Sequence, residues 1–209
     1  MLFVVSGPSG CGKSTLIGRV IRDIGDVRFS VSHTTRRRRA TEVDGREYHF
    51  VSKKEFEAMI REGRFLEWAL VHGRHYGTSR AEVDGKATAG DVLLDIDVQG
   101  ARQVRASGRP ASFIFIMPPV FKELRRRLLE RRTEDRVSLS KRLADARGEI
   151  GAYPEFDFVV INEDLETAAA ELKSVILASR CRPGSRKERI DGILRSFFPE
   201  GAEDERTGT

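Results

Sequence analysis

Apolar residues fall in short runs, and most of these runs are followed by a stretch of helical spacing. Leu2-Phe3-Val4-Val5 reads as a strand buried on both faces, and Thr15 to Ile21 behind it has helical periodicity. The same couplet recurs. Val92 to Asp97 predicts a buried strand, with a helix from about Gln99 to Arg105. Phe113 to Met117 predicts another, stopped by Pro118-Pro119; Phe121, Leu124 and Leu128 then place a helix over Phe121 to Arg131. Phe158 to Ile161 is a further strand, and Asp164 to Arg180 carries Leu165, Ala168, Leu172, Val175, Ile176 and Ser179 on one stripe. Helices alternating with apolar strands predict an α/β fold around a mainly parallel sheet with right-handed crossovers.

Two regions break the rhythm. From Ser32 to Arg80 the chain is richer in polar and aromatic residues. Glu47 to Val51 and Phe65 to Ala69 look like half-exposed strands, with a short helix over Lys53 to Arg61 opened by Ser52. This predicts an inserted small domain over 32–80, set into a core of 1–31, 81–129 and 150–180. The stretch of about 130–149 is charged and arginine-rich, as expected of a mobile flap. Residues 181–209 form a polar tail expected to be partly disordered, in which Ile190 to Phe198 could dock.

The chain has 209 residues, enough for one α/β domain with insertions. No apolar run approaches the ~18 residues of a membrane span. The first strand begins at once, so neither a signal peptide nor a transit segment is expected. Two cysteines, Cys11 and Cys181, look unpaired and suit a cytoplasmic, reducing compartment. Net charge is +5, from 37 Lys+Arg against 32 Asp+Glu. The signs are interspersed, so a nucleic-acid surface is disfavoured. Oligomeric state is left open.

Gly7-Pro8-Ser9-Gly10-Cys11-Gly12-Lys13-Ser14 fits the phosphate-loop pattern G-x-x-x-x-G-K-[ST] between the first strand and first helix. Glycines let successive N–H groups turn inward on an anion, and the helix N-terminus faces the same anion. Lys13 would reach the outer phosphates and the Ser14 hydroxyl would meet Mg²⁺. The loop predicts a nucleoside triphosphate and leaves its use open: a kinase acting on a nucleotide or a phosphorylated sugar, or an ATPase on nucleic acid.

Within the insert, Arg36-Arg37-Arg38-Arg39 is either a solvated basic loop or an anion site. Tyr48 and Tyr76 could offer hydroxyls to a phosphate. Glu67, set among apolar neighbours, is either a strand's outward residue or a recognition group. A carboxylate can accept from the N1–H and the exocyclic amine of guanine together, a pair that adenine does not present.

These segments, in order, resemble the guanylate kinases of the nucleoside monophosphate kinase family. The resemblance rests on the phosphate loop, Phe29 to Arg36, Val43 to Val51, Phe65 to Ala69, Tyr76 to Arg80, Leu94 to Gly100 and Val160 to Leu165, and spans about Leu2 to Arg180. It implies a P-loop three-layer fold with an inserted mixed α+β GMP-binding subdomain and a helical lid, converting ATP and GMP (and dGMP) to ADP and GDP with Mg²⁺. Gly7, Pro8, Ser9, Gly10, Cys11, Gly12, Lys13, Ser14 and Thr15 would cradle ATP phosphates, with Asn162 near the adenine. Ser32, Glu67 and Thr78 would read guanine, while Arg36, Arg39, Tyr48 and Tyr76 hold the GMP phosphate. Asp95 would serve the substrate, and Ser14 with Asp97 the metal. Lys13, Arg36, Arg131 and Arg142 would act on the transferring phosphoryl group. A phosphate acceptor is already ionised near neutrality, so no base is assigned to His33, His49, His72 or His75. Where the family usually has proline, glycine and a lid glycine, this chain has Arg38, Thr41 and Arg132.

Overall fold

The computed structural model describes residues 1–71, 73–130 and 136–198, without the side chains of 136–139. His72, Arg131, Arg132 and 199–209 therefore lie outside the described residues. In chain order the elements are β1 (Leu2–Ser6), α1 (Lys13–Ile24), β2 (Val27–Phe29), β3 (His33–Thr34), β4 (His49–Phe50), α2 (Lys53–Arg61), β5 (Phe65–Val71), β6 (Arg74–Ser79), α3 (Arg80–Ala87), β7 (Asp91–Asp95), α4 (Val98–Ala106), β8 (Ser112–Met117), α5 (Phe121–Glu130), α6 (Arg136–Ile150), β9 (Phe158–Ile161), α7 (Leu165–Ser179) and α8 (Lys187–Phe197).

The main sheet runs β2-β7-β1-β8-β9 with every pairing parallel. Its central strands β1, β7 and β8 are mostly apolar because both faces are covered. On β1, Phe3 and Val5 pack with Leu16 and Val20 of α1 and Leu172 and Ile176 of α7. Leu2 and Val4 point the other way, to Val83 of α3 and Ala101 and Val104 of α4. Each such side chain, fully buried, stabilises the fold by about 1.5–3 kcal/mol. Strand β9 is an edge whose Val159 and Ile161 remain exposed.

The second sheet runs β4-β3-β6-β5. Helix α2 covers it: Phe56 stacks on Phe65 with ring centroids 4.4 Å apart. Ser52 starts α2 through a reciprocal capping box with Glu55. Within Glu47 to Val51 the strand itself is only His49–Phe50, with Tyr48 in an isolated bridge to Asp44. Strand β5 runs longer than the sequence suggests, to Val71, and is not half-exposed where it begins: Phe65, Leu66 and Glu67 are all buried. The cause is a register shift between Phe65 and Glu67. Phe65 faces Phe56, Leu66 enters the core against α3 and α4, and Glu67 turns to the other side of the strand.

Strand β7 stops at Asp95, two residues short of the sequence expectation, because Asp97 caps α4. The described part of the charged flap is the helix α6, and Ala146 joins the main core. The tail contains α8, stitched by a Lys187–Asp191 ion pair one turn apart. Its Ile190, Ile193, Leu194 and Phe197 lie at helical spacing and stay exposed rather than docking.

Candidate active site

The phosphate loop follows β1 directly, with Gly7, Gly10 and Gly12 at positive φ of 142°, 89° and 95°. A Cβ on Gly7 would run into the Ile116 carbonyl of β8, and one on Gly12 would strike the Asn162 amide. The turn is therefore formed by neighbours as much as by its own sequence. Helix α1 begins at Lys13 with no side chain capping it, which leaves its first N–H groups for an anion. Lys13 folds back over the loop and donates to Gly7 O at 2.6 Å. Burial alone would lower its pKa. The field of the Asp95, Glu149 and Asp97 carboxylates contributes to raising it instead, so the ammonium stays charged.

The outer side of the loop is braced. Asn162, expected near an adenine, is buried and donates Nδ2 to Cys11 O at 2.7 Å. Arg127 of α5 donates to the same carbonyl at 3.2 Å and to Asn162 O at 3.1 Å, while its Nε meets Glu123 at 2.7 Å. Sequence reasoning missed Arg127, although its spacing from Glu123 on a helix face was readable. Burial raises the Cys11 thiol pKa, so this cysteine stays neutral.

Ser14 Oγ lies 3.3 Å from Asp95 Oδ2. Asp97 instead spends Oδ1 on the Gly100 N–H at 2.7 Å, and burial raises its pKa. Of the two carboxylates, Asp95 is the one in contact with the Ser14 hydroxyl. A hydroxyl and a carboxylate beside a phosphate cradle are hard oxygen donors of the kind that Mg²⁺ takes, so the residues fit that ion.

One cavity of about 800 Å³ joins the two sheets. Lys13, Ser14 and Asp95 line it, as do Ser32, Tyr48 and Tyr76, and Asp97 and Glu67 meet at Gly100 between them. Helix α6 contributes Lys141, Arg142, Asp145 and Glu149. Arg142 donates to Ser9 Oγ at 2.6 Å, so α6 already touches the phosphate loop. Glu149 was not foreseen; its spacing from Arg142 and Asp145 on one helix face carried the signal.

Glu67 is the most unusual group in the cavity. It is 4 % exposed, and its Oε1 has no hydrogen-bond partner among the described residues. Burial pushes its pKa up to about 7, against support from the hydroxyl and backbone of Thr78. Thr78 is itself buried, 3.5 Å from the Ser32 hydroxyl. Tyr48 and Tyr76 meet edge to face at 5.8 Å. The Arg36 guanidinium lies 5.3 Å from the Tyr48 ring centroid, on the half-buried side of the arginine run. Arg39 is exposed. Arg131 lies outside the described residues.

A phosphate-loop cradle and a buried, half-satisfied carboxylate thus line one cavity. The family model for guanylate kinase matches residues 1–179. The chain belongs to the guanylate kinase family. The guanylate kinase of Shewanella sp. (strain MR-7) is 46% identical over 199 residues, covering 94% of this chain and 96% of that protein. That of Coxiella burnetii (strain RSA 493 / Nine Mile phase I) is 41% identical over 194 residues, with 92% and 94% covered. The crystal structure of guanylate kinase from Anaplasma phagocytophilum superposes with a TM-score of 0.77 at 32% identity, covering 95% of each chain. As a guanylate kinase the chain transfers a phosphoryl group from ATP to GMP. Among the described residues no helix is long and apolar enough to cross a membrane.

Proposed function

We propose that this guanylate kinase reads its acceptor base through Glu67 and holds the acceptor phosphate with the arginine run. The observation that carries the reading is the unpartnered Oε1 of Glu67, buried on the cavity wall. An orphaned buried acceptor is costly unless a ligand satisfies it. The guanine Watson–Crick edge supplies two adjacent donors, with Ser32 and Thr78 alongside. In this reading dGMP, which presents the same base edge, is an acceptor as well.

The insert of 32–80 is the acceptor subdomain in this reading, and 130–149 the lid. The phosphate loop from Gly7 to Thr15 holds the ATP phosphates, and Lys13 leaves the Gly7 carbonyl for them. Asn162 lies near the adenine in this reading and also braces the loop through the Cys11 carbonyl. Ser14, with Asp95 or Asp97, holds Mg²⁺, which when bound supplies charge neutralisation on the phosphates. Arg36, Arg39, Tyr48 and Tyr76 grip the GMP phosphate, while Arg142, with Arg131, comes onto the transferring group from the lid.

Chemically, the obstacle is the repulsion of two polyanions. Lysine and arginine charges lower it most when water is excluded. Approach of the insert and α6 toward the phosphate loop does this and suppresses ATP hydrolysis. No general base is needed, since the acceptor phosphate is already ionised near pH 7. The unpaired Cys11 and Cys181 suit action in the cytoplasm.

The test is ADP formation from Mg-ATP with GMP, dGMP, AMP, UMP or CMP, beside a no-acceptor control. Strong turnover with GMP and dGMP alone is expected. Equal use of AMP would remove Glu67 from its assigned role.

A further inference from the structure

Arg36 carries five N–H donors in a rigid fork. Three are committed within the loop that follows. Nη1 donates to Arg37 O at 2.8 Å and to Glu42 Oε2 at 3.0 Å; Nη2 donates to Glu42 Oε1 at 2.8 Å. Glu42 thus takes the end-on edge of the guanidinium, Nη1 with Nη2. Glu42 does not take the side-on edge, Nε with the second Nη2 hydrogen, and the Tyr76 hydroxyl also interacts with this arginine.

Glu42 does more than hold Arg36. Its Oε2 also accepts from the Arg39 backbone N–H at 2.8 Å. Its carbonyl accepts from Arg38 Nη1 at 3.0 Å, and its own N–H donates to Arg39 O at 3.2 Å. One acidic residue thereby closes a turn over Arg36, Arg38 and Arg39. The Arg36–Glu42 pair is largely shielded, with side-chain exposures of 18% and 11%, so it is not an ordinary solvated surface pair. This is also where the chain has Arg38 and Thr41 in place of a proline and a glycine. The Arg38 side chain ties across the turn that a proline would stiffen.

We propose that Glu42 is a positioning residue for the acceptor phosphate: it fixes the turn that carries Arg39 and holds the Arg36 guanidinium beside Tyr48, whose ring lines the cavity. The inference rests on the reading that Arg36 and Arg39 hold the GMP phosphate. Its physical content is preorganisation. Four adjacent arginines repel one another, and without a fixed counter-charge they would scatter into solvent, to be gathered again on each binding event. A carboxylate on one edge of Arg36 holds the geometry without occupying the other.

The test is GMP binding by calorimetry together with steady-state kinetics on Arg36→Ala, Glu42→Gln and the double variant, with thermal melts of each. Glu42→Gln is expected to raise the GMP Kd and KM about tenfold or more, the worth of a lost charge-assisted bidentate contact. The ATP KM and the kcat at saturating GMP should stay within about twofold, a split that general loss of structure would not give. Because Glu42 acts through Arg36, the double variant should bind GMP little worse than Arg36→Ala. Weak GMP binding by Arg36→Ala beside unchanged or tighter binding by Glu42→Gln would overturn the proposal: the carboxylate would then be idle or a competitor of the phosphate. Unchanged GMP binding by Arg36→Ala would instead remove the underlying reading. If Glu42→Gln fails to fold, Arg38→Met tests the same turn. A several-fold rise in GMP KM at constant ATP KM supports the proposal, and no rise overturns it.

Discussion

Gly100 is a glycine because the Glu67 carboxylate lies where its side chain would be. A Cβ there would sit 3.1 Å from Glu67 Cδ and closer still to Oε2. Gly100 is in the first turn of α4, so the carboxylate rests against a helix N-terminus, where the backbone favours negative charge. Gly100→Ala should displace Glu67, raise the GMP KM by about tenfold or more and narrow the preference for GMP over AMP. Kinetics with the two acceptors decide it; an unaltered preference would mean that the close approach has no bearing on base reading.

Glu67 is held at an energetic cost. Its pKa is raised from 4.5 to about 7 by burial, so the folded protein binds a proton there that the unfolded chain has lost. Stability from this group therefore falls as pH rises between about 4.5 and 7, by of order 3 kcal/mol in all. Recognition runs the opposite way, since the ionised form accepts both guanine donors. Thus kcat/KM for GMP should rise with pH to a plateau above about 7, while Glu67→Gln melts higher than the parent at pH 8 and close to it at pH 4.5. A parent and variant with parallel melting curves against pH would contradict this account.

Lys13 bonds a loop carbonyl in the absence of nucleotide, Gly7 O at 2.6 Å. Lys13→Ala should cut kcat by about a hundredfold to a thousandfold, as loss of one preorganised charge at a developing anion does. Circular dichroism should report an intact fold. Turnover within a few-fold of the parent would show that another group neutralises the phosphates.

Asn162 braces the phosphate loop at the Cys11 carbonyl. Asn162→Ala leaves Arg127 alone on the Cys11 carbonyl and costs about 1–3 kcal/mol, a fall in Tm of several degrees for a chain of this size. The loop loosens, so the ATP KM should rise several-fold while the GMP KM holds. Melting and two-substrate kinetics on one preparation test both halves, and a rise in GMP KM alone would place Asn162 elsewhere in the mechanism.

The parts of this molecule that were legible in sequence are those set by local chemistry. Gly7 to Ser14 declares itself because the turn, the helix start and the cation lie in eight consecutive residues. The apolar runs of β1, β7 and β8 announce a parallel sheet because both faces are buried. What was hidden depends on partners distant in sequence. Asp97 looks like the end of a strand until its bond to the Gly100 N–H makes it a cap, leaving Asp95 beside Ser14. Arg127 looks like one more surface arginine until β9 delivers Asn162 to it. Glu67 could have faced either way, and the extra residue at Leu66 decides.

That extra residue also has a mechanical meaning. Leu66 is sunk in the core between β1, α3 and α4, and the next peptide is held from α4, where Gln103 bonds both the N–H and the carbonyl of Trp68. Glu67 lies between these two anchors, so its backbone is tied at once to the parallel sheet's core and to α4. In the proposed reading, the base is therefore measured against a gauge bolted to the main body of the molecule.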